Sequence, residues 1–457
     1  MAKGVELAQC SELVDRLSSL PDDILIDNIL PLFPIKEAAR TSILSRRWRF
    51  LWPRVPFLDL DFDASKMVAA CPLLDRDSRR EFFRYGSRAA SDYVDWVNRV
   101  VLFHSRRSNS LRLFRIRFLL DESFSQDIDS WLMLSLEKGV EVLELDSCRR
   151  LLKERYRPCR FPSIQPRLFP KLNLLKSLSL AGVSIKNDSL EHLLLGCEFL
   201  ERLHLCCLKP LTAVNVTGPV SRLQYIDLSH CLCVRSIMLS APTPDLVSFT
   251  YSDWANPHVH VELAPRLVDL FIASNFDLFA HPLSRYVAQL QTLHLHIEYW
   301  SLAQGDLHRF PNLSGLKHLK LSLAWLNYGL SLEREDLRGL TSLIKAAPSV
   351  QHLTLVMESS PFRQLMVRDE FANFDLQFLR VIEIVGWRGH EMECKLAVHL
   401  IKCVTSLEKL IIDCRAPLLL GSIIDEYGFA KEKIGEVRRN ALELKQALSS
   451  KVKLVVI

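Results

Sequence analysis

The sequence predicts an α/β protein in three parts. A small all-α unit of three helices comes first. An irregular stack of short parallel strands, curved into a horseshoe with the strands on its concave face, follows, and a C-terminal α+β cap ends the chain. Three observations carry this. The stretch LPDDILIDNILPLFPIKEAARTSILSRRWRFLW, Leu20 to Trp52, is apolar at helical spacing and holds two tryptophans. The pattern L-x-x-L-x-L then recurs along most of the chain. Near the end, LRVIEIVGWRGHEMECKLAVHLIKCVTSLEKLIID, Leu379 to Asp413, reads as strand, glycine turn, amphipathic helix and strand.

Composition bounds the rest. Of 457 residues, 49% are hydrophobic and 24% charged, which is globular rather than disordered. Lys plus Arg exceed Asp plus Glu by 58 to 53, and a net charge of +5 is too weak to argue for nucleic acid. Residues 1–14 carry Lys3, Glu6 and Glu12 and no apolar core, so no signal peptide is expected. No run approaches the roughly 18 apolar residues of a membrane helix, so no membrane partner is expected. Twelve cysteines without framework spacing read as reduced thiols, which predicts the cytoplasm or nucleus. The sequons at Asn187, Asn215 and Asn312 then carry no weight.

In the N-terminal unit Pro21 suits a first helical turn, and Asp22 and Asp23 sit at the positive end of the helix dipole. Pro31 and Pro34 stop that helix. A second helix fits Lys36 to Arg40 and a third Thr41 to Trp52, with Leu44, Trp48, Leu51 and Trp52 on one face. Three helices in about 40 residues make a marginal core. The apolar side chains either pack on the rest of the chain or form a surface for a partner.

This stretch resembles an F-box, the motif that docks a protein onto the Skp-type adaptor of cullin–RING ubiquitin ligases. Leu20 to Leu25, Ile29-Leu30, Pro34, Lys36 to Ala39, Thr41 to Arg49 and Leu51-Trp52 carry the likeness. The resemblance implies that Leu20, Pro21, Ile24, Leu25, Ile29, Ile43, Leu44, Trp48 and Trp52 face the adaptor, with some of them holding the helices together. It places the F-box at residues 15–54.

Residues 55–110 are less regular and are expected to form a linker and helical N-terminal cap. Tyr93, Val97, Val100 and Val101 fit one helix face. From Arg76 to Arg117 there are eleven arginines against four acidic residues. That is a solvated, salt-bridged face, or else a dock for an acidic partner or nucleic acid.

The repeats follow. After a weak unit at Leu111/Phe114/Ile116, eleven units run from Val140/Leu143/Leu145 to Leu407/Leu410/Ile412, with starts 21 to 35 residues apart. Alternate residues of each short strand point into a shared core, and those between form the concave face. The likeness is to an irregular, plant-type leucine-rich-repeat array over residues 111–345. Asn187 to Leu194, ended by Gly196, reads as a helical connection, whereas Ser240 to Leu246 does not. Cys148 and Cys231 fall where such repeats bond the turn backbone. Residues 346–457 resemble the FBD domain of plant F-box proteins, through the Val381 to Ile384 strand, Gly386, Gly389 and Leu407 to Ile412. A charged helix over 428–447 and a strand at Leu454 to Ile457 would complete the cap.

No constellation for catalysis stands out. Walker, GxGxxG and G-x-S-x-G patterns are absent. His390-Glu391-Met392-Glu393-Cys394 lacks the second histidine of a zinc hydrolase. The Cys/His region of His204, Cys206, Cys207, His230, Cys231 and Cys233 has no CxxC pair. No enzyme, metal or cofactor is expected.

The concave face is where a target would bind. Strand alternation puts Arg202, Tyr225, Asp227, Phe271, His294, His296, His318 and Lys320 there, with His204, Asp269, Thr292 and His352 beside them. The histidines add a potential pH response. The resemblances imply a substrate-recognition subunit of a Skp–cullin–F-box ubiquitin ligase, whose partners are the adaptor, through it a cullin, and an unidentified target protein. The alternative is a repeat scaffold that binds proteins outside a ligase.

Overall fold

The computed structural model describes residues 17–55, 59–64, 76–105, 110–147, 157–162, 164, 166–218, 220–240, 242–252, 257–273, 282–298, 313–324, 343–344, 346–357, 377–415 and 431–457, and only the backbone at 76–87, 273, 282, 297–298, 324, 391–392 and 431–434. Cys148 and Asn312 lie outside these residues.

The strands are, in chain order, β1 Asp59–Asp63, β2 Leu113–Arg117, β3 Val142–Asp146, β4 Ser177–Ala181, β5 Arg202–Cys206, β6 Ala213–Val216, β7 Tyr225–Ser229, β8 Ser236–Leu239 and β9 Ser248–Ser252. They continue with β10 His258–Val261, β11 Asp269–Ala273, β12 Thr292–Glu298, β13 His318–Ala324, β14 His352–Met357, β15 Val381–Val385, β16 Lys409–Asp413 and β17 Lys453–Val456. Among the described residues fourteen of them form one sheet, ordered β1-β2-β3-β4-β5-β7-β9-β11-β12-β13-β14-β15-β16-β17. Every neighbouring pair in it is parallel.

Register explains the pattern. The second and fourth residues of each strand stack into two continuous rows, for example Leu143, Leu178, Leu203, Ile226 and Leu145, Leu180, Leu205, Leu228. All of these are buried in one core. Each such row removes apolar surface that no single repeat could cover alone. The first, third and fifth residues face the other way and build the open face.

All eleven expected strand units are present, as are the weak unit at Leu113–Arg117 and the final strand. Three features depart from expectation. First, β1 precedes the weak unit: residues 55–110 supply the sheet's first strand as well as a helix, Arg76–Ser105. Tyr93 on that helix is buried and donates from its hydroxyl to the Phe62 carbonyl at 2.7 Å, while Val97 and Val100 are buried with it. Second, a separate parallel sheet, β6-β8-β10, lies beyond the helix Asn187–Leu195. The Asn187 carboxamide ties the two, accepting from the Thr212 N–H at 2.9 Å. Short strands thus take the place of a helix in these compact repeats. Third, one sheet holds strands from all of the expected parts beyond the N-terminal unit: β1 pairs with β2 and β13 with β14, both parallel.

The C-terminal strand–turn–helix–strand is β15, the helix Glu391–Cys403 and β16. Its turn requires glycine: Gly386 and Gly389 have φ of +80° and +76°. The Glu393 carboxylate accepts from the N–H groups of Arg388, Gly389 and His390 at 2.9, 2.8 and 3.2 Å, closing the start of the helix. Leu396, Leu400, Ile401 and Val404 are buried as the spacing requires. The charged helix spans Lys431–Glu443, with a last turn at Leu444–Ala447.

Candidate docking surfaces

The N-terminal unit divides its apolar residues between two faces. Leu25, Ile26, Leu30, Ile35, Ala38, Trp48 and Leu51 are buried, and they join the core that includes Leu60 and Phe62 of β1. The unit therefore leans on the first edge of the sheet. Arg47 pins its third segment to its first, donating from Nε to the Asp22 carboxylate at 2.7 Å. The expected third helix is broken: a single turn at Thr41–Ile43 is separated from Trp48–Leu51. That break turns Ile43 and Leu44 outward. They are 87% and 60% exposed, and Leu32, Phe33, Phe50 and Ile24 are exposed with them. Apolar side chains exposed in this number are the kind of surface that a partner covers.

The residues expected to face the adaptor or hold the helices together fall into these two sets. Leu25 and Trp48 are 0% and 3% exposed and belong to this chain's core. Leu20, Ile29 and Trp52 are half-buried against that core. Pro21, Ile24, Ile43 and Leu44 are at the surface. Leu32, Phe33 and Phe50 were missed by sequence reasoning; a signal was there, since Leu32 and Phe33 are apolar residues between two prolines.

On the open face, the first three strands carry a ladder of ion pairs. Arg115 bonds Asp61 at 2.8 Å on one side and Glu144 at 2.6 Å on the other. Arg117 bridges Asp146 and Asp63 at 3.1 and 3.4 Å, and Arg112 pairs with Asp59. The Glu144 hydrogen bond, working against partial burial, raises the Arg115 pKa. Three of the arginines counted between Arg76 and Arg117 thus serve to lash β1 to its neighbours.

Beyond the ladder lies a hollow of about 550 Å³, lined by Arg115, Arg117, Ser177, Ser179, Arg202, His204, Tyr225, Asp227, Ser248 and Thr250 among others. The Arg202 guanidinium lies over the Tyr225 ring at 5.0 Å. Asp227 accepts from the Ser229 hydroxyl, and its carboxylate is 3.7 Å from His204 Nε2.

Further along, Phe271 and His294 stack at 3.7 Å and His318 and His352 at 4.3 Å. Register brings His294 beside Lys320 and His296 beside Ser322. Arg202 and Tyr225 are exposed; Asp227, Phe271, His294, His296, His318 and Lys320 are half-buried, all on the open face. The expected pH response fails for two of these residues. Burial, aided by the charge of Lys320, holds the His294 pKa down to about 2. Burial and the neighbouring His352 hold that of His318 to about 4. Both imidazoles are therefore neutral through the physiological range.

Cys231 is structural. The Cys231 thiol donates to the carbonyls of Leu205 and Ser229 at 3.6 and 3.5 Å, the turn-bonding role expected of it. Among the described residues no three His, Cys, Asp or Glu side chains converge as metal ligands. No described helix is long and apolar enough to cross a membrane.

A parallel ladder with two buried leucine rows per strand and a polar open face is the architecture of a leucine-rich-repeat protein. Residues 158–456 match the family model described as At1g61320/AtMIF1, LRR domain. Three Arabidopsis thaliana proteins are similar. The F-box/FBD/LRR-repeat protein At1g13570 is 28% identical over 57% of this chain and 54% of its own length. The F-box protein At3g59000 is 30% identical over 53% and 49%. The FBD-associated F-box protein At4g10400 is 27% identical over 77% and 80%. The chain spans about half the length of the first two. It belongs to the plant F-box/LRR-repeat family.

Proposed function

We propose that this chain is the substrate-recognition subunit of a Skp–cullin–F-box ubiquitin ligase, acting in the nucleus or cytoplasm. Residues 15–54 are the F-box in this reading. They dock a Skp-type adaptor through Ile24, Leu32, Phe33, Ile43, Leu44 and Phe50, and the cullin joins through the adaptor. The open face of the sheet takes the target, and residues 346–457, as an FBD, extend that face. The chain does no bond-making chemistry. It raises the local concentration of a target lysine near the activated ubiquitin.

One observation carries the reading: the N-terminal unit buries one set of apolar side chains in the shared core and still leaves six large ones exposed, Ile24, Leu32, Phe33, Ile43, Leu44 and Phe50. The family names of the relatives support the same partner. Tagged full-length protein should capture a Skp-type adaptor and a cullin from plant extract, and Leu32→Asp with Phe50→Asp should lose both. Retention of target proteins without either component in the wild-type capture would instead mean a scaffold outside a ligase.

A further inference from the structure

The chain turns a corner at the end of each strand, and four of these corners start in the left-handed region. Gly182 after β4 and Gly386 after β15 have φ of +68° and +80°, but Cys207 after β5 and His230 after β7 are both at +54°. Each N–H donates to the carbonyl that ends the next strand of the sheet. Gly182 donates to Cys206 and Gly386 to Asp413, both at 2.9 Å, Cys207 to Ser229 at 3.0 Å and His230 to Ser252 at 2.7 Å. A β-carbon is disfavoured in this conformation, so Cys207 is held there against its preference. Cys206, the last residue of β5, is 1% exposed and lies between the small side chains of Ala181 and Ser229. Cys207 is half-buried. Both are free thiols, and their sulfurs are 3.6 Å apart.

That separation selects what can join them. A disulfide needs sulfurs at about 2.05 Å and α-carbons at about 4.4 Å or more, whereas consecutive α-carbons lie about 3.8 Å apart. A linear two-coordinate ion such as Cu(I), with sulfur bonds of about 2.3 Å, needs its sulfurs roughly 4.6 Å apart. Tetrahedral zinc needs two further ligands, and among the described residues no three His, Cys, Asp or Glu side chains converge. A pyramidal centre with two sulfur bonds of about 2.3 Å, set at about 100°, spans about 3.5 Å. The two thiols already present that span. Trivalent arsenic has this shape, three bonds and a lone pair, and is soft enough to prefer sulfur. We infer that Cys206 and Cys207 form a chelating dithiol site for trivalent arsenic compounds. With an organoarsenic oxide, the half-buried Cys207 sulfur bonds to arsenic and its proton passes to the oxide oxygen. Cys206, already beside it, forms the second As–S bond, and the hydroxide leaves with the Cys206 proton as water. Arsenic stays trivalent, so the step needs no oxidant or reductant.

The test treats full-length protein, reduced with a phosphine, with phenylarsine oxide. Intact mass should rise by one phenylarsenic group less two hydrogens, and peptide mapping should place it across Cys206 and Cys207. Excess monothiol should leave the adduct in place, and ethanedithiol should remove it. The fold holds both side chains ready, which saves the ordering of two rotors. Half-removal should therefore take about tenfold more ethanedithiol than for the free peptide Leu-His-Leu-Cys-Cys-Leu-Lys. Cys207→Gly suits the left-handed corner as Gly182 does, so it should keep the thermal melt and lose the adduct. Cys206→Ala, which matches Ala181 across the sheet, should do the same. No adduct, an adduct mapped to other thiols, one retained by Cys207→Gly, or one held no more tightly than by the peptide overturns the inference. Adaptor capture through the N-terminal unit does not depend on this corner, so either reading can fail without the other.

Discussion

Replacing Ile43 and Leu44 with serine separates partner binding from folding. Both side chains are largely in water, Ile43 by 87% and Leu44 by 60%. Removing them uncovers no core and opens no cavity, so the melting temperature should stay within about two degrees. Full burial of such a side chain is worth roughly 2 kcal/mol. Scaled by their exposure, the two together would contribute about 3 kcal/mol to an interface that covers them, or about 100-fold in Kd. Calorimetric titration of purified adaptor into wild-type and double-mutant protein measures this directly. Trp48→Ala is the contrast. That side chain is 3% exposed, so its loss should lower stability by about 3–5 kcal/mol. It weakens adaptor binding only by unfolding the unit. A double serine mutant whose adaptor Kd moves less than threefold, with the fold intact, would refute the argument that this cluster is the docking face.

Three further outcomes follow from the geometry. Arg115→Gln leaves the Asp61 and Glu144 carboxylates facing each other without the guanidinium between them, and urea unfolding should show a loss of about 1–3 kcal/mol. Acid should weaken the fold through His294. Its pKa is 6.5 in an ordinary setting and about 2 here, so the unfolded chain takes up a proton that the folded one refuses. Stability from this group is complete above pH 6.5 and falls as pH drops toward 2, by about 2 kcal/mol at pH 5; His294→Gln should remove that part of the slope. Burial pushes the Cys159 and Cys197 thiols up to about 12, whereas Cys233 is exposed. Mass spectrometry after iodoacetamide at pH 8 should find Cys233 modified in the folded protein and Cys159 and Cys197 untouched.

The ladder was legible because its signal is repeated. Leu203 and Leu205 are ambiguous alone, but the same spacing in ten other units leaves one arrangement that buries them all. Strand β1 was not read, although Leu60 and Phe62 alternate correctly. Five residues with three aspartates look like a polar linker until Arg112, Arg115 and Arg117 stand opposite them. Strands β6, β8 and β10 are four residues each, too short for a period to declare itself. In the N-terminal unit most of the apolar residues were identified, but not their sides, and Leu32, Phe33 and Phe50 were passed over. Leu44 and Trp48, four residues apart, share one face of the apparent helix in the sequence, and the break between Thr41–Ile43 and Trp48–Leu51 leaves the first exposed and the second buried.

That break and the arginine ladder bear on each other. The buried side of the N-terminal unit, Leu25 and Trp48 included, shares one core with Leu60 and Phe62 of β1. Strand β1 in turn is held by parallel backbone pairing to β2 and by carboxylates that Arg112, Arg115 and Arg117 grip from above. Buried core on one side and ion pairs on the other leave the first strand little freedom to peel away. A partner on the exposed Ile43–Leu44 face would therefore be held at a fixed distance from anything bound on the open face. In the proposed ligase role, where a target lysine is presented to a distant reactive thioester, this stiffness does work that affinity alone cannot, because flexibility between the two sites would dilute the effective concentration they create. The aspartates of β1 thus fix the geometry between two surfaces that neither of them touches.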